Sequence, residues 1–165
     1  MSIRVGMGFD VHRFAAGPPL VLGGVEIDAP GLLGHSDADV VAHAVADSLL
    51  GAAGLPDLGS LFPDSDERYR GASSIQLLRT VAGKVAAAGW RLGNVDVVVA
   101  AERHRLAPHV AAMAANLARA LVVILPGSTF PAAVSVKPKR GEGMGAIGRG
   151  EGIAAWSVAL LESVG

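Results

Sequence analysis

The chain predicts a single domain over residues 1–165, α/β or α+β in class, with helices packed on a mixed β-sheet. Three observations carry this. Segments with strand and helix periods alternate from end to end, turn residues separate them, and no repeat, heptad seam or linker divides the chain. With 165 residues and 51% hydrophobic content, one good core can be buried.

Ile3, Val5, Phe9 and Val11 fall on odd positions, a period of two that predicts a first strand to about His12, with Asp10 and His12 on its other face. Leu20, Val21 and Leu22 and then Val25, Glu26 and Ile27 flank Gly23 and Gly24, the spacing of a tight hairpin. Ser36 is the expected N-cap of a helix running to about Ala53 and closed by Gly54, with Asp37 and Asp39 in its first turn. Residues 54–72 hold glycine, proline and aspartate without a period and read as a long loop of the kind that forms lids. Ser73 or Ser74 caps a second helix whose apolar positions Ile75, Leu77, Leu78, Val81 and Val85 keep the helical period until Gly89.

Residues 94–101 are nearly all apolar, as in a strand covered on both faces. Pro108 suits the first turn of a third helix carrying Val110, Met113, Leu117 and Leu121 inward. The apolar run that begins at Ala120 stops at Pro126, far short of the roughly 20 residues that span a bilayer. A short strand is expected from Ala132 to Lys137. Residues 137–152, rich in glycine and cations, suit a loop whose backbone approaches phosphate. Residues 153–161 fit helix and strand equally well.

Composition narrows the function. Fourteen Lys and Arg against 15 Asp and Glu provide no positive field for nucleic acid or an anionic membrane. The opening residues run into strand-like sequence without the pattern of a secretory signal, so a soluble cytoplasmic protein is expected. The lack of cysteine removes thiol catalysis and thiolate metal sites, leaving histidine and carboxylate as the strong metal ligands.

Asp10 and His12 share one strand face, and His43 lies two turns into a helix that can cross it. Two histidines and a carboxylate form a common zinc set with an open fourth position. Asp39 and Asp47, four residues before and after His43, lie on its stripe and can orient it. From spacing alone, an ordinary capping cluster followed by a solvent-facing stripe fits as well.

The motifs Gly8-Phe9-Asp10-Val11-His12, His35-Ser36-Asp37-Ala38-Asp39 through His43, Asp57-Leu58-Gly59 with Leu61-Phe62-Pro63-Asp64, Gly93-Asn94-Val95-Asp96 and Gly148-Arg149-Gly150-Glu151-Gly152 occur in one order. In that order they resemble the 2-C-methyl-D-erythritol 2,4-cyclodiphosphate synthases of non-mevalonate isoprenoid biosynthesis. The resemblance implies a homotrimeric lyase with active sites between subunits. Its substrate would be 4-diphosphocytidyl-2-C-methyl-D-erythritol 2-phosphate, cyclised with release of CMP.

Position by position, the resemblance implies that Asp10, His12 and His43 bind zinc and that Glu142 binds a second cation, Mg2+ or Mn2+. His35 is the group that steadies the transition state. Val11, Ser36, Asp57, Leu58, Gly59, Phe62, Pro63, Asp64, Ser65 and Asp66 join Asp10, His12 and His35 in holding the phosphorylated polyol. Ala101, Glu102, Arg103, His104, Arg105, Leu106 and Ala107 form the cytidine segment, in which His104-Arg105 replaces the usual Pro-Lys. Lys139, Arg140, Gly141 and Glu142 form the phosphate loop, and Arg140 stands where the family has its catalytic threonine. Ala146, in place of a bulky aromatic, and Arg149 line a threefold cavity suited to an isoprenoid diphosphate. A zinc-dependent phosphohydrolase and a catalytically impaired nucleotide- or metal-binding relative are the alternative functions.

Overall fold

Two segments that the sequence separates, the opening strand and the first arm of the hairpin, form one strand, β1 (Ile3–Leu22). Its first half pairs antiparallel with the last strand of the chain, from Ile3 opposite Glu162 to Arg13 opposite Gly152. Its second half turns to the hairpin arm β2 (Val25–Leu32), and the register slips on either side of Pro19. Proline cannot donate a ladder bond, so a break at Pro18 and Pro19 is where a strand can change partners. Gly23 and Gly24 take φ of 55° and 68°, which gives the tight hairpin its turn.

The computed structural model describes residues 2–125 and 133–165. Helix α1 (Val40–Ala53) ends at Gly54 in the left-handed region, as expected, but its N-cap is Asp39 and not Ser36. Ala38 takes a φ of 55°, which separates the two capping candidates. The Asp39 carboxylate wins because it accepts four backbone N–H groups, those of Gly23, Gly24, Val41 and Ala42, and so ties the hairpin to the helix. Asp37 and Asp39 therefore precede the first turn.

Residues 54–72 are not a structureless loop. They hold the short helix α2 (Leu58–Leu61), capped by Asp57, and a 3-10 turn at Glu67–Tyr69, capped by Asp66. Helix α3 (Ser74–Ala87) has Ser73 as its N-cap residue, and β3 (Trp90–Ala100) begins four residues earlier than the apolar run suggests. A 3-10 turn containing Pro108 leads into α4 (Val110–Ala120), which buries Met113 and Leu117. Strand β4 (Val134–Lys139) follows. Pro126 and Ala132, on which two expectations fall, lie outside the described residues. The glycine-rich loop holds one short helix, α5 (Gly145–Gly148), and the ambiguous C-terminal run is strand β5 (Gly152–Ser163).

The sheet order is β2-β1-β5-β3-β4, with β4 parallel to β3 and the other neighbours antiparallel. Helix α1 packs on β1 and β5, α3 packs against α1, and α4 lies on β4. Leu49, Leu50, Leu78, Leu92, Met113, Leu117 and Leu161 are fully buried in the core between these layers. Each such leucine contributes about 1.5–3 kcal/mol relative to exposure.

Strand β3 was expected to be covered on both faces, and here the structure differs. Val95, Val97 and Val99 face the core, but the opposite face of the sheet is open and still apolar. Ile3, Val5, Met7 and Phe9 of β1 and Trp156 and Val158 of β5 are all exposed there. The even positions of β1 face α1. At Gly6 and Gly8 the helix comes so close that an added Cβ would meet Ser48 O at 2.0 Å and Ala44 O at 1.9 Å. Among the described residues, no helix is long and apolar enough to cross a membrane.

Candidate functional site

The glycine-mediated contact between α1 and β1 places His43 against Asp10 and His12. His43 Nδ1 lies 2.9 Å and His12 Nε2 3.2 Å from Asp10 Oδ2. One ligand atom from each of the three lies within 4.8 Å of the others, and among the described residues no other histidine and carboxylate group gathers this way. Tetrahedral zinc with bonds of about 2.0–2.1 Å separates its ligands by roughly 3.3 Å, so the donor set fits a divalent metal. His12 Nδ1 lies 2.6 Å from the Leu33 carbonyl, to which it donates, leaving Nε2 as the lone-pair nitrogen.

Burial alone would push the Asp10 carboxyl up, but its hydrogen bonds to His12 and His43 hold it well below the usual carboxylate range. The bond to Asp10 raises His12, with burial acting the other way. Asp47 is also pushed up, mainly by burial, and its Oδ1 accepts the Leu58 N–H at 2.8 Å, fixing α2 beside the site.

A cleft of about 500 Å3 opens over the metal group, lined by His12, His35, Ser36, His43, Phe62 and Asp64 together with Leu58, Gly59 and Pro63. Gly34, Tyr69 and Leu77 also line it and were not anticipated. Tyr69 stacks edge-on against Phe62 at 5.2 Å, a pairing that the aromatic pair in an otherwise polar stretch could have signalled. His35 Nε2 contacts the Asp66 carbonyl at 3.2 Å.

Not every expected residue turns inward. Val11 has its side chain on the open sheet face, opposite to Asp10 and His12, because side chains alternate along a strand. The Asp57 carboxylate is exposed and caps α2 through Ser60 N–H at 2.7 Å. Asp66 spends its carboxylate on Arg68, and Ser65 is exposed, lining neither of the two clefts described here.

A second cleft, about 710 Å3, is lined by Ala101, Glu102, Arg103, His104, Arg105, Leu106, Ala107, Lys139, Arg140, Glu142 and the unanticipated Pro138. It shares no lining residue with the first. Glu102 organises it, accepting from Arg140 Nη2 at 2.7 Å and from Gly141 N–H at 2.9 Å. The Arg140 guanidinium holds the Glu102 carboxyl below its ordinary range, and Glu102 raises Arg140 in turn. Glu142 takes a φ of 52°, a strained backbone for a residue with a side chain. Ala146 lies in α5 and lines neither cleft, while Arg149 is paired with Glu151 at 2.6 Å.

A curled mixed sheet with helices on one face, two histidines and a carboxylate at the helix–sheet contact, and a cationic loop cleft define a mixed α/β protein with a candidate metal centre. The chain matches the YgbB family over residues 3–162 and belongs to it. It is 58% identical to the "Bifunctional enzyme IspD/IspF" of Anaeromyxobacter sp. (strain Fw109-5) over 98% of this chain, but spans only 40% of that relative's length. It is 53% identical to the 2-C-methyl-D-erythritol 2,4-cyclodiphosphate synthase of Bordetella bronchiseptica, over 100% of this chain and 99% of that protein. The solved structure "IspF (Plasmodium falciparum) CDP complex" superposes with a TM-score of 0.83 at 31% identity, covering 99% of this chain and 97% of that one.

Proposed function

We propose that the chain is a 2-C-methyl-D-erythritol 2,4-cyclodiphosphate synthase, acting as one domain over residues 1–165. The single observation that carries this reading is the Asp10, His12 and His43 group at the floor of a cleft, in a chain 53% identical over its full length to a synthase of that name. In the reaction, an oxygen of the substrate's 2-phosphate attacks the β-phosphorus. A new P–O bond forms, the bond to the bridging oxygen breaks, and CMP leaves with that electron pair.

Bringing two anionic phosphates together is the main electrostatic cost, so the site must supply positive charge and fixed donors. Asp10, His12 and His43 would hold a zinc ion and Glu142 a second cation, Mg2+ or Mn2+, and these would supply Lewis-acid neutralisation of phosphate charge. His35 steadies the phosphoryl group in the transition state. Phe62, Pro63 and the backbone from Leu58 to Gly59 enclose the polyol. Residues 101–107 take the cytidine; that the ligand is a cytidine nucleotide is supported by the CDP complex of the P. falciparum relative. Arg140 takes the family threonine's place and donates to a phosphoryl oxygen, with Lys139 and the Gly141 N–H beside it.

The two clefts are separate within one chain, and the open face carrying Phe9, Trp156 and Val158 is apolar and uncovered. Both features support a homotrimer in which one subunit's metal cleft meets its neighbour's nucleotide cleft. A cytoplasmic location belongs to the same proposal. Phosphorus NMR of the purified protein with the cytidine substrate and divalent metal tests the reading. CMP and a cyclic diphosphate should appear in equal amounts, and a linear product of water attack would instead identify a phosphohydrolase.

A further inference from the structure

We propose that Asp37 and Ser74 are positioning residues that fix the tautomer of His43, so that Nδ1 is the nitrogen offered to a metal. The proposal rests on the reading of Asp10, His12 and His43 as a ligand set and goes on to what orients that set. His43 Nδ1 faces Asp10, while Nε2 lies 2.8 Å from Ser74 Oγ and 3.2 Å from Ser36 Oγ. Ser74 is only 1% exposed. Its hydroxyl has one hydrogen, and its second close partner is the Asp37 carboxylate oxygen Oδ1, which accepts and cannot donate.

The direction of the chain follows from that inventory. Ser74 O–H donates to Asp37 Oδ1 and its lone pair receives the His43 Nε2–H, so the proton on Nε2 is fixed and Nδ1, facing Asp10, is the nitrogen a metal can take in place of a proton. Asp37 is itself oriented by backbone, since Oδ2 accepts the Ser74 N–H at 3.1 Å. Ser36 is a lesser acceptor, already receiving the Ala38 N–H at 3.2 Å. The backbone between these residues is braced as well: Gly71 N–H donates to His35 O at 2.8 Å and Asp37 N–H to Ala72 O at 3.1 Å. His12 meets the same need through the Leu33 carbonyl, so the two histidines present opposite ring nitrogens, each with its other nitrogen pinned.

Asp37→Asn tests the direction. The Ser74 N–H cannot turn round, so it claims the amide oxygen and the new NH2 group faces Ser74 Oγ. Ser74 then donates to His43 Nε2, and the proton moves to Nδ1, the ligand atom. In the metal-free full-length protein, 15N NMR should show His43 Nε2 protonated in the wild type and unprotonated in the variant. Zn2+ affinity, measured by competition with a chromophoric chelator, should fall about 10- to 100-fold. Ser74→Ala should weaken Zn2+ in the same direction, and Ser74→Thr, which keeps the hydroxyl, should restore it.

Wild-type Zn2+ affinity together with an unchanged tautomer in Asp37→Asn would overturn the proposal. Should that variant fail to fold by circular dichroism, the wild type decides, and an unprotonated His43 Nε2 there would be equally fatal. Failure of the wild type itself to bind Zn2+ would instead remove the ligand-set reading.

Discussion

In the cleft around His43, the histidines that face the metal group are pinned by second partners. In the cleft around Arg140, the guanidinium is exposed and its partner is another side chain of the same cleft, Glu102. His12 is held by the Leu33 carbonyl and His43 by Ser74, on a strand and a helix that two glycines bring into contact. Arg140 and Gly141 are held by Glu102, on two loops. The first region is preorganised to receive a metal. If the second takes a phosphate as proposed, Arg140 must exchange Glu102 for it, and part of the binding energy would go into breaking an internal pair.

Replacing His43 with alanine should break the contrast most completely. Metal content by elemental analysis should be lost while circular dichroism stays native, because His43 is half-buried at the edge of the core rather than within it. Arg140→Ala probes the other side. It should lower turnover by about 10²-fold through loss of a donor to the phosphoryl group. Metal content and thermal midpoint should be unchanged, and an unaltered kcat would show that Arg140 does no chemistry.

Gly8→Ala attacks the preorganisation directly. An added Cβ would meet Ala44 O at 1.9 Å, so α1 must shift, at a cost of about 1–3 kcal/mol in urea unfolding together with weaker metal binding. A smaller effect separates the regions by pH. Because Asp10 raises His12 above 6.5, protons compete for His12 until the pH passes that raised value, and metal affinity should tighten up to that point and then level off. Metal-free stability has the opposite sign: the contribution of His12 is full below pH 6.5 and is lost as pH rises through the raised value. Glu102 and Arg140 are each shifted away from neutrality, so their pair should add no pH dependence to nucleotide binding measured by calorimetry over the same range.

Local chemistry was readable where one residue type has one use. Gly23-Gly24 made the hairpin, Gly54 closed α1, and the spacing from Ile75 to Val85 made α3. Ser36 and Asp39 are both capping residues three apart, and only the tertiary position of the hairpin N–H groups decides between them. Nor can a period of two say which face of β1 is core: its apolar odd positions lie in the open, and glycine with the ligands fills the inner face. The Asp10, His12 and His43 grouping was visible as a possibility from strand alternation. In the second cleft, residues 101–107 rested on motif resemblance alone, since loop residues carry no periodicity, while glycine and cation content pointed to the loop of Lys139 and Arg140. Ser74 was visible only as a helix cap, because its contact with His43 spans 31 residues.

The position of β5 bears on how the molecule is made. Asp10 and His12 sit on a strand whose partner in the middle of the sheet begins at Gly152, so the ladder joining them closes a loop of well over a hundred residues. During synthesis, α1 and the hairpin can form early, but β1 has no neighbour on its ligand-bearing half until the final strand has emerged. Any metal the group takes would therefore be acquired late in the birth of each chain, and a ribosome-stalled chain halted before β5 carries the candidate ligands without the geometry.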